Sequence, residues 1–161
     1  MQRLTRTDPN GITRSIDPDA ALDLRRRIRR DRTDCLVARA AFLPAADRIL
    51  IEGYFREGRT IKTLAEAADV PPRAMSRRIR RLSQRLLSDR FAFVLRNYES
   101  WSPARRRVAT ATILHGYSMR AAADRLRMSL YNVRRHSEAI RALYETDQRQ
   151  RAARSTAYRS S

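Results

Sequence analysis

Cysteine is almost absent from this chain: Cys35 stands alone among 161 residues. A single thiol excludes an internal disulfide, and with it a small disulfide-stapled secreted domain. Histidine is nearly as scarce. His115 and His136 are the only two, and no cysteine or carboxylate cluster completes a metal site around either. No metal and no other cofactor is expected. The four glycines are too few and too scattered for a phosphate-cradling loop. No Ser-His-Asp set and no paired carboxylates can be argued, so the chain is not read as an enzyme, and no small-molecule ligand is evident. No apolar run approaches the ~18 residues of a membrane span. The opening "MQRLTRTDPNGITRS" lacks the apolar centre of a signal peptide. The expected location is therefore the cytoplasm, with no membrane partner. Alternating β-branched residues are missing too, while Ala, Arg and Leu dominate, which predicts an all-α fold.

Arginine is what the chain has in excess. Basic residues number 35 against 17 acidic ones, for a formal charge of +18, and all but Lys62 of the basic residues are arginine. A genome biased toward Arg and Ala codons would explain arginine over lysine, but not basic over acidic. A polyanion is the natural partner of such a surface, and nucleic acid is the commonest.

Punctuation divides the chain. Residues 1–16, broken by Pro9 and Gly11, read as a flexible arm. Asp17 and Pro18 mark a helix start, and 17–42 form a basic N-terminal helical segment ending in the apolar "CLVARAAF". Residues 43–97 and 98–145 look like one unit written twice, 58 residues apart. Gly58 aligns with Gly116, Ala65 with Ala123 and Arg77 with Arg135; Thr60 and Ser118 are matched helix caps. Ser102 and Pro103 open the first helix of the second copy. Residues 146–161 show no apolar face and read as a loose basic tail.

Each copy has the spacing of a helix-turn-helix. A small residue must sit where the second helix crosses the first, and Ala65 and Ala123 supply it. Val70 and Met128 plug the turn. Met75 and Val133 face back into the core. The second helix of the first copy, in "PPRAMSRRIRRLSQRL", holds six arginines and no acid. At ~100° per residue, Met75, Ile79, Leu82 and Leu86 form one stripe. Arg73, Arg77, Arg80 and Gln84 lie opposite, with Arg81 nearby. A solvated face mixes signs, whereas this one does not, and its like charges at i,i+4 repel. Phosphates would neutralise that repulsion. In the second copy Val133, Ser137, Ile140 and Tyr144 face inward, and Tyr131, Arg135 and Glu138 outward. Glu138 takes the place of Arg80, which leaves the second copy either a base reader of different preference or a partner-binding derivative.

The stretch "LPAADRILIEGYFREGRTIKTLAEAADVPPRAMSRRIRRLSQRL" resembles region four of bacterial RNA polymerase sigma factors. The shared features are the opening Leu43-Pro44, the aromatic pair Tyr54-Phe55 before Gly58, the small helix "IKTLAEAADV" and the long basic helix after it. The resemblance covers Leu43 to Leu87, and Ser102 to Tyr144 more weakly. It implies a tandem pair of helix-turn-helix units that read duplex DNA through the major groove, with RNA polymerase as a possible further partner. It places base-edge contacts on Arg73, Ser76 and Arg77, and in the second copy on Tyr131, Arg134 and Arg135. Backbone contacts fall to Lys62, Arg80, Arg81, Gln84 and Arg120. Pro71 departs from the usual Ser or Thr cap of the reading helix, a cap worth ~1 kcal/mol. No sigma region two is found before Leu43, so the expectation is a transcription regulator built from sigma-like parts. Two rival readings are a protein-interaction module docking on RNA polymerase or an anti-sigma partner, supported by Tyr131 and Glu138, and a non-specific nucleoid or RNA binder.

Of the remaining residues, His115 ends a helix, where positive charge is favoured, and His136 flanks the second reading helix. Cys35 reads as a small buried residue. Trp101, just before the Ser102 cap, reads as an apolar staple. Phe91, Phe93, Val94 and Leu95 read as core between the copies.

Overall fold

The structure, a computed structural model, describes residues 18–159. Every regular element among them is helical: α1 (Pro18–Ala40), α2 (Ala45–Phe55), α3 (Ile61–Ala67), α4 (Pro72–Leu87), α5 (Asp89–Asn97), α6 (Pro103–Ala109), α7 (Met119–Leu126) and α8 (Leu130–Arg159). A 3-10 turn at Tyr98–Ser100 follows α5, and α6 widens into a π turn at Thr110–Leu114. The N-terminal arm and the Asp17 cap lie outside the described residues. The chain forms two compact units, one ending at Cys35 and one starting at Leu36. Among the described residues of the first, no side chain is buried.

In the second unit, the 58-residue repeat extends to individual backbone bonds. The Thr60 hydroxyl accepts the Thr63 N–H at 3.1 Å, and the Ser118 hydroxyl accepts that of Ala121 at 3.2 Å. Each satisfies an orphan donor at a helix start. Gly58 (φ +67°) and Gly116 (φ +74°) turn the chain through the left-handed region, which costs a residue without a Cβ least. Across them, Arg59 N–H donates to the Gly53 carbonyl and Tyr117 N–H to that of Ala111, both at 2.9 Å. Asp69 (φ 50°) and Arg127 (φ 52°) make the next left-handed turn in each copy. Past that turn, Val70 N–H reaches the Ala65 carbonyl and Met128 N–H that of Ala123, both at 3.0 Å. The chain path of each copy is thus set by short polar caps and left-handed turns at fixed spacing.

Packing follows the same register. Leu50, Leu64, Ala65, Met75 and Ile79 form one buried cluster, sealed by Val70 at the turn. Val108, Ala111, Ala122, Ala123 and Val133 form its counterpart, sealed by Met128. At the crossing of α2 and α3, a Cβ on Gly53 would come within 3.3 Å of Leu64 Cδ2. The second copy has Ala111 and Ala122 at these two positions, so a large and an absent side chain are replaced by two small ones. A third cluster joins the copies through Ile51, Leu82, Leu86, Ala109 and Ile140, with Leu43, Trp101, Phe91, Phe93 and Val94. Each large apolar side chain fully buried in this way contributes roughly 1.5–3 kcal/mol.

Several expectations are corrected. Residues 146–159, expected as a loose tail, continue α8. No Gly or Pro occurs after Gly116 to stop that helix. Asp147 holds it from two sides, at 2.9 Å from Arg151 and 3.7 Å from Arg96. The Ser102 side chain makes no cap bond, although α6 does begin at Pro103. Trp101 is a member of the shared core, 5.8 Å from Phe93 between ring centroids. Cys35 is half-buried rather than buried. Phe91, Phe93 and Val94, read as core, are buried and Leu95 is half-buried; all four lie on α5, which the Ser88 hydroxyl caps at the Phe91 N–H. A Ser-Asp start before spaced apolar residues was the available signal.

Candidate nucleic-acid interface

The face of α4 opposite its core stripe carries the expected residues. Met75, Ile79, Leu82 and Leu86 are each 5% exposed or less. Arg73, Arg77, Arg80, Arg81 and Gln84 are exposed, and Ser76 is half-buried at the margin. Among the described residues, none of these four arginines has a carboxylate partner within ion-pair distance. Lys62 on α3 is exposed, 3.9 Å from Glu66. No ion pair on α4 itself offsets the positive field of this face.

The other two arginines of the stretch hold the helix in place. Arg78 donates to Asp47 Oδ1 from Nε (3.1 Å) and Nη2 (2.7 Å). Arg85 has Nη2 3.7 Å from Asp47 Oδ2 and donates from Nη1 to the His115 carbonyl at 2.9 Å. Burial pulls the Arg85 guanidinium below its ordinary pKa, while Asp47 and Tyr117 oppose that pull. Arg39 donates to the Leu86 carbonyl at the end of α4. Asp47 and Arg85 thus tie α4 to α2 and to the Gly116 turn. Sequence spacing did not single these residues out: in a run of six arginines, only tertiary position separates an outward guanidinium from an inward one.

Helix α8 repeats the arrangement with different side chains. Val133, Ser137 and Ile140 are buried and Tyr144 is half-buried. Tyr131, Arg134, Arg135 and Glu138 are exposed, Tyr131 at 72%. Arg120 on α7 is exposed, matching Lys62. Ser137, in the place of Ile79, places its buried hydroxyl 3.4 Å from Met119 Sδ. Glu138, Arg134 and Arg141 line a shallow depression with Arg90 and Met119, so this face mixes signs where α4 does not.

The expectation for His115 is corrected. Burial lowers its pKa, with Arg85 and Arg125 acting in the same direction against Asp47 and the Phe42 backbone. Burial, with the neighbouring cations adding to it, thus works against the positive charge expected at this helix end. His136 is lowered as well, by burial and then by Arg105 and Arg135. Among the described residues, no group of three or more His, Cys, Asp or Glu could hold a metal ion, and no helix is long and apolar enough to cross a membrane. No family model, curated protein or solved structure matches this chain.

Proposed function

We propose that this protein is a sequence-specific duplex DNA-binding protein of transcription control, built from two helix-turn-helix units similar to sigma region four. In this reading α3 and α4 form the first unit, and α7 with the start of α8 the second. Helix α4 lies in the major groove. Arg73 and Arg77 pair with base edges, for which the guanidinium fork suits the O6 and N7 atoms of guanine. Ser76 sits between them. Lys62, Arg80, Arg81 and Gln84 hold the phosphates on either side. Tyr131, Arg134, Arg135 and Arg120 take the equivalent places in the second unit. Two readers in one chain suit an asymmetric or directly repeated site rather than a palindrome. No catalytic step is assigned.

The observation that carries this reading is the outward face of α4: four exposed arginines without carboxylate partners, on a helix whose opposite face is packed and whose end is tied down. Selection from a random duplex library tests it, and an enriched motif is the expected result. Contact with about six phosphates gives log affinity a slope near −5 against log salt. Arg73→Ala or Arg77→Ala relaxes base preference at ~1–3 kcal/mol each, whereas Arg81→Ala weakens all sites alike. Salt-insensitive binding, or equal affinity for every duplex, would sink the reading.

A second reading draws on the exposed Tyr131 and Glu138, where the first copy has Arg73 and Arg80. An aromatic beside an acid suits a protein partner better than phosphate, so the second unit docks on RNA polymerase or a regulatory protein. Retention of polymerase from nuclease-treated lysate, lost on Tyr131→Ala, distinguishes it.

A further inference from the structure

We infer that the exposed arginine face of α1, centred on Arg26, Arg29 and Arg30, is a second contact to duplex DNA, made to the phosphate backbone without regard to sequence. This deepens the proposed function and rests on it for the identity of the polyanion.

Residues 25–32, "RRRIRRDR", hold six arginines and one acid. That equals the arginine content of the α4 stretch in half its length. On a helix, Arg26, Arg29 and Arg30 fall within an arc of about 100°. They stand three and four residues apart, so their charges repel. Every side chain from Arg26 to Arg32 is exposed. The only ion pair seen on this stretch among the described residues is Arg26 with Asp23, at 3.7 Å. Its partners are 79% and 78% exposed, and such pairs contribute little.

The stretch also lacks a core. No described side chain before Leu36 is buried, and Ile28 is 56% exposed. This part of α1 has no packing of its own and rests on propensity and on continuity with the packed Leu36 and Ala40 further along the helix. Self-repulsion weakens it further. A row of phosphates removes the repulsion and fills the donors, so charge complementarity selects a polyanion. On the helical wheel, Leu24 and Ile28 share the side opposite the arginine face, and Asp31 and Arg32 interrupt it one turn later. A membrane-surface helix needs a continuous apolar strip there instead.

The test uses the full chain and R26Q/R29Q/R30Q. Glutamine keeps helix propensity and removes the repulsion, so the circular dichroism spectrum of the variant should show at least the helix content of the parent. Affinity is followed across a salt series for a duplex carrying the selected motif and for a random duplex. Three lost phosphate contacts make the log–log slope shallower by about 2–3. Binding weakens on the order of 100-fold at physiological salt, equally for both duplexes, so their affinity ratio is unchanged. An unaltered slope overturns the proposal. So does a loss confined to the motif duplex. So does unchanged duplex binding with loss of binding to phosphatidylserine–phosphatidylcholine vesicles, which would make α1 a membrane contact. R73A/R77A, measured in parallel, keeps the two readings apart. If it leaves the affinity ratio untouched, base reading by α4 has failed, while the slope of the α1 variant still decides the role of α1.

Discussion

Asp47 and Arg105 occupy the same position in the two copies, in the first turn of α2 and of α6, with opposite charge. The next residue in the comparison diverges in step. Asp47 is gripped by Arg78 at 2.7 Å, whereas His136, lowered in pKa first by burial, is lowered further by the charge of Arg105. An acid in a first turn also complements the helix dipole, and an arginine there opposes it. The first copy has a clamp and the second a mild repulsion, with a buried Arg105 Nε that has no hydrogen-bond partner. Yet the backbone bonds of the two turns agree in partner and nearly in length. The shape of the helix pair is therefore held by caps, left-handed turns and small crossing residues. The ion pair is an addition specific to the first copy, and it fastens the helix with the uniformly basic face.

The largest expected contrast lies in the cores. Met75→Ala removes a buried side chain at the crossing of α3 and α4 and costs about 2–5 kcal/mol. Val133→Ala removes fewer atoms at the equivalent place and costs roughly 1.5–3 kcal/mol. Urea unfolding of both variants checks this; an inverted order would mean that the second core carries the fold.

Glycine substitutions come next. A Cβ on Gly116 would lie 1.8 Å from Arg85 Nη1, whereas one on Gly58 meets nothing within 4 Å. Gly58→Ala costs only the left-handed strain, ~1–2 kcal/mol. Gly116→Ala adds the displacement of Arg85 from the His115 carbonyl, for about 2–4 kcal/mol in all. Equal losses in thermal unfolding would show that Arg85 moves aside freely.

The clamp can be removed from one copy and built in the other. Asp47→Ala leaves Arg78 and Arg85 without their carboxylate and costs about 2 kcal/mol. The double change R105D/H136R rebuilds the pair in the second copy and stabilises by up to ~1 kcal/mol. No gain there would show that the surroundings of Asp47, not the pair alone, make the clamp effective.

The smallest effect is the response to pH. His115 and His136 both have folded pKa values below their unfolded one. Their contribution is therefore fully present above an unfolded pKa of about 6.5 and is lost as pH falls through the folded values. Stability should decline modestly on acidification through this range, and less steeply in H115Q/H136Q. Identical pH profiles of parent and variant would remove the histidines from the account.

What was legible in the sequence was legible for local reasons. The Thr60 and Ser118 caps act through bonds to residues three positions on, and Gly58 and Gly116 sit where the chain turns left-handed. The apolar stripe of α4 follows from helical period alone, since a side chain one turn away shares its face. The helix at 146–159 has no apolar face and so leaves no periodic signal in the sequence. A helix already nucleated by packed residues continues until a breaker stops it.

Composition and spacing by themselves determined an all-helical chain, its register of repetition and the outward direction of Arg73, Arg77, Arg80 and Arg81. Only the tertiary structure decided that Arg78 and Arg85 turn inward to Asp47 and that burial lowers the His115 pKa. It alone put Trp101 and Phe93 in one core with residues of both copies. Periodicity reports direction around a single helix axis. It holds no information on which charge from another helix waits on that side.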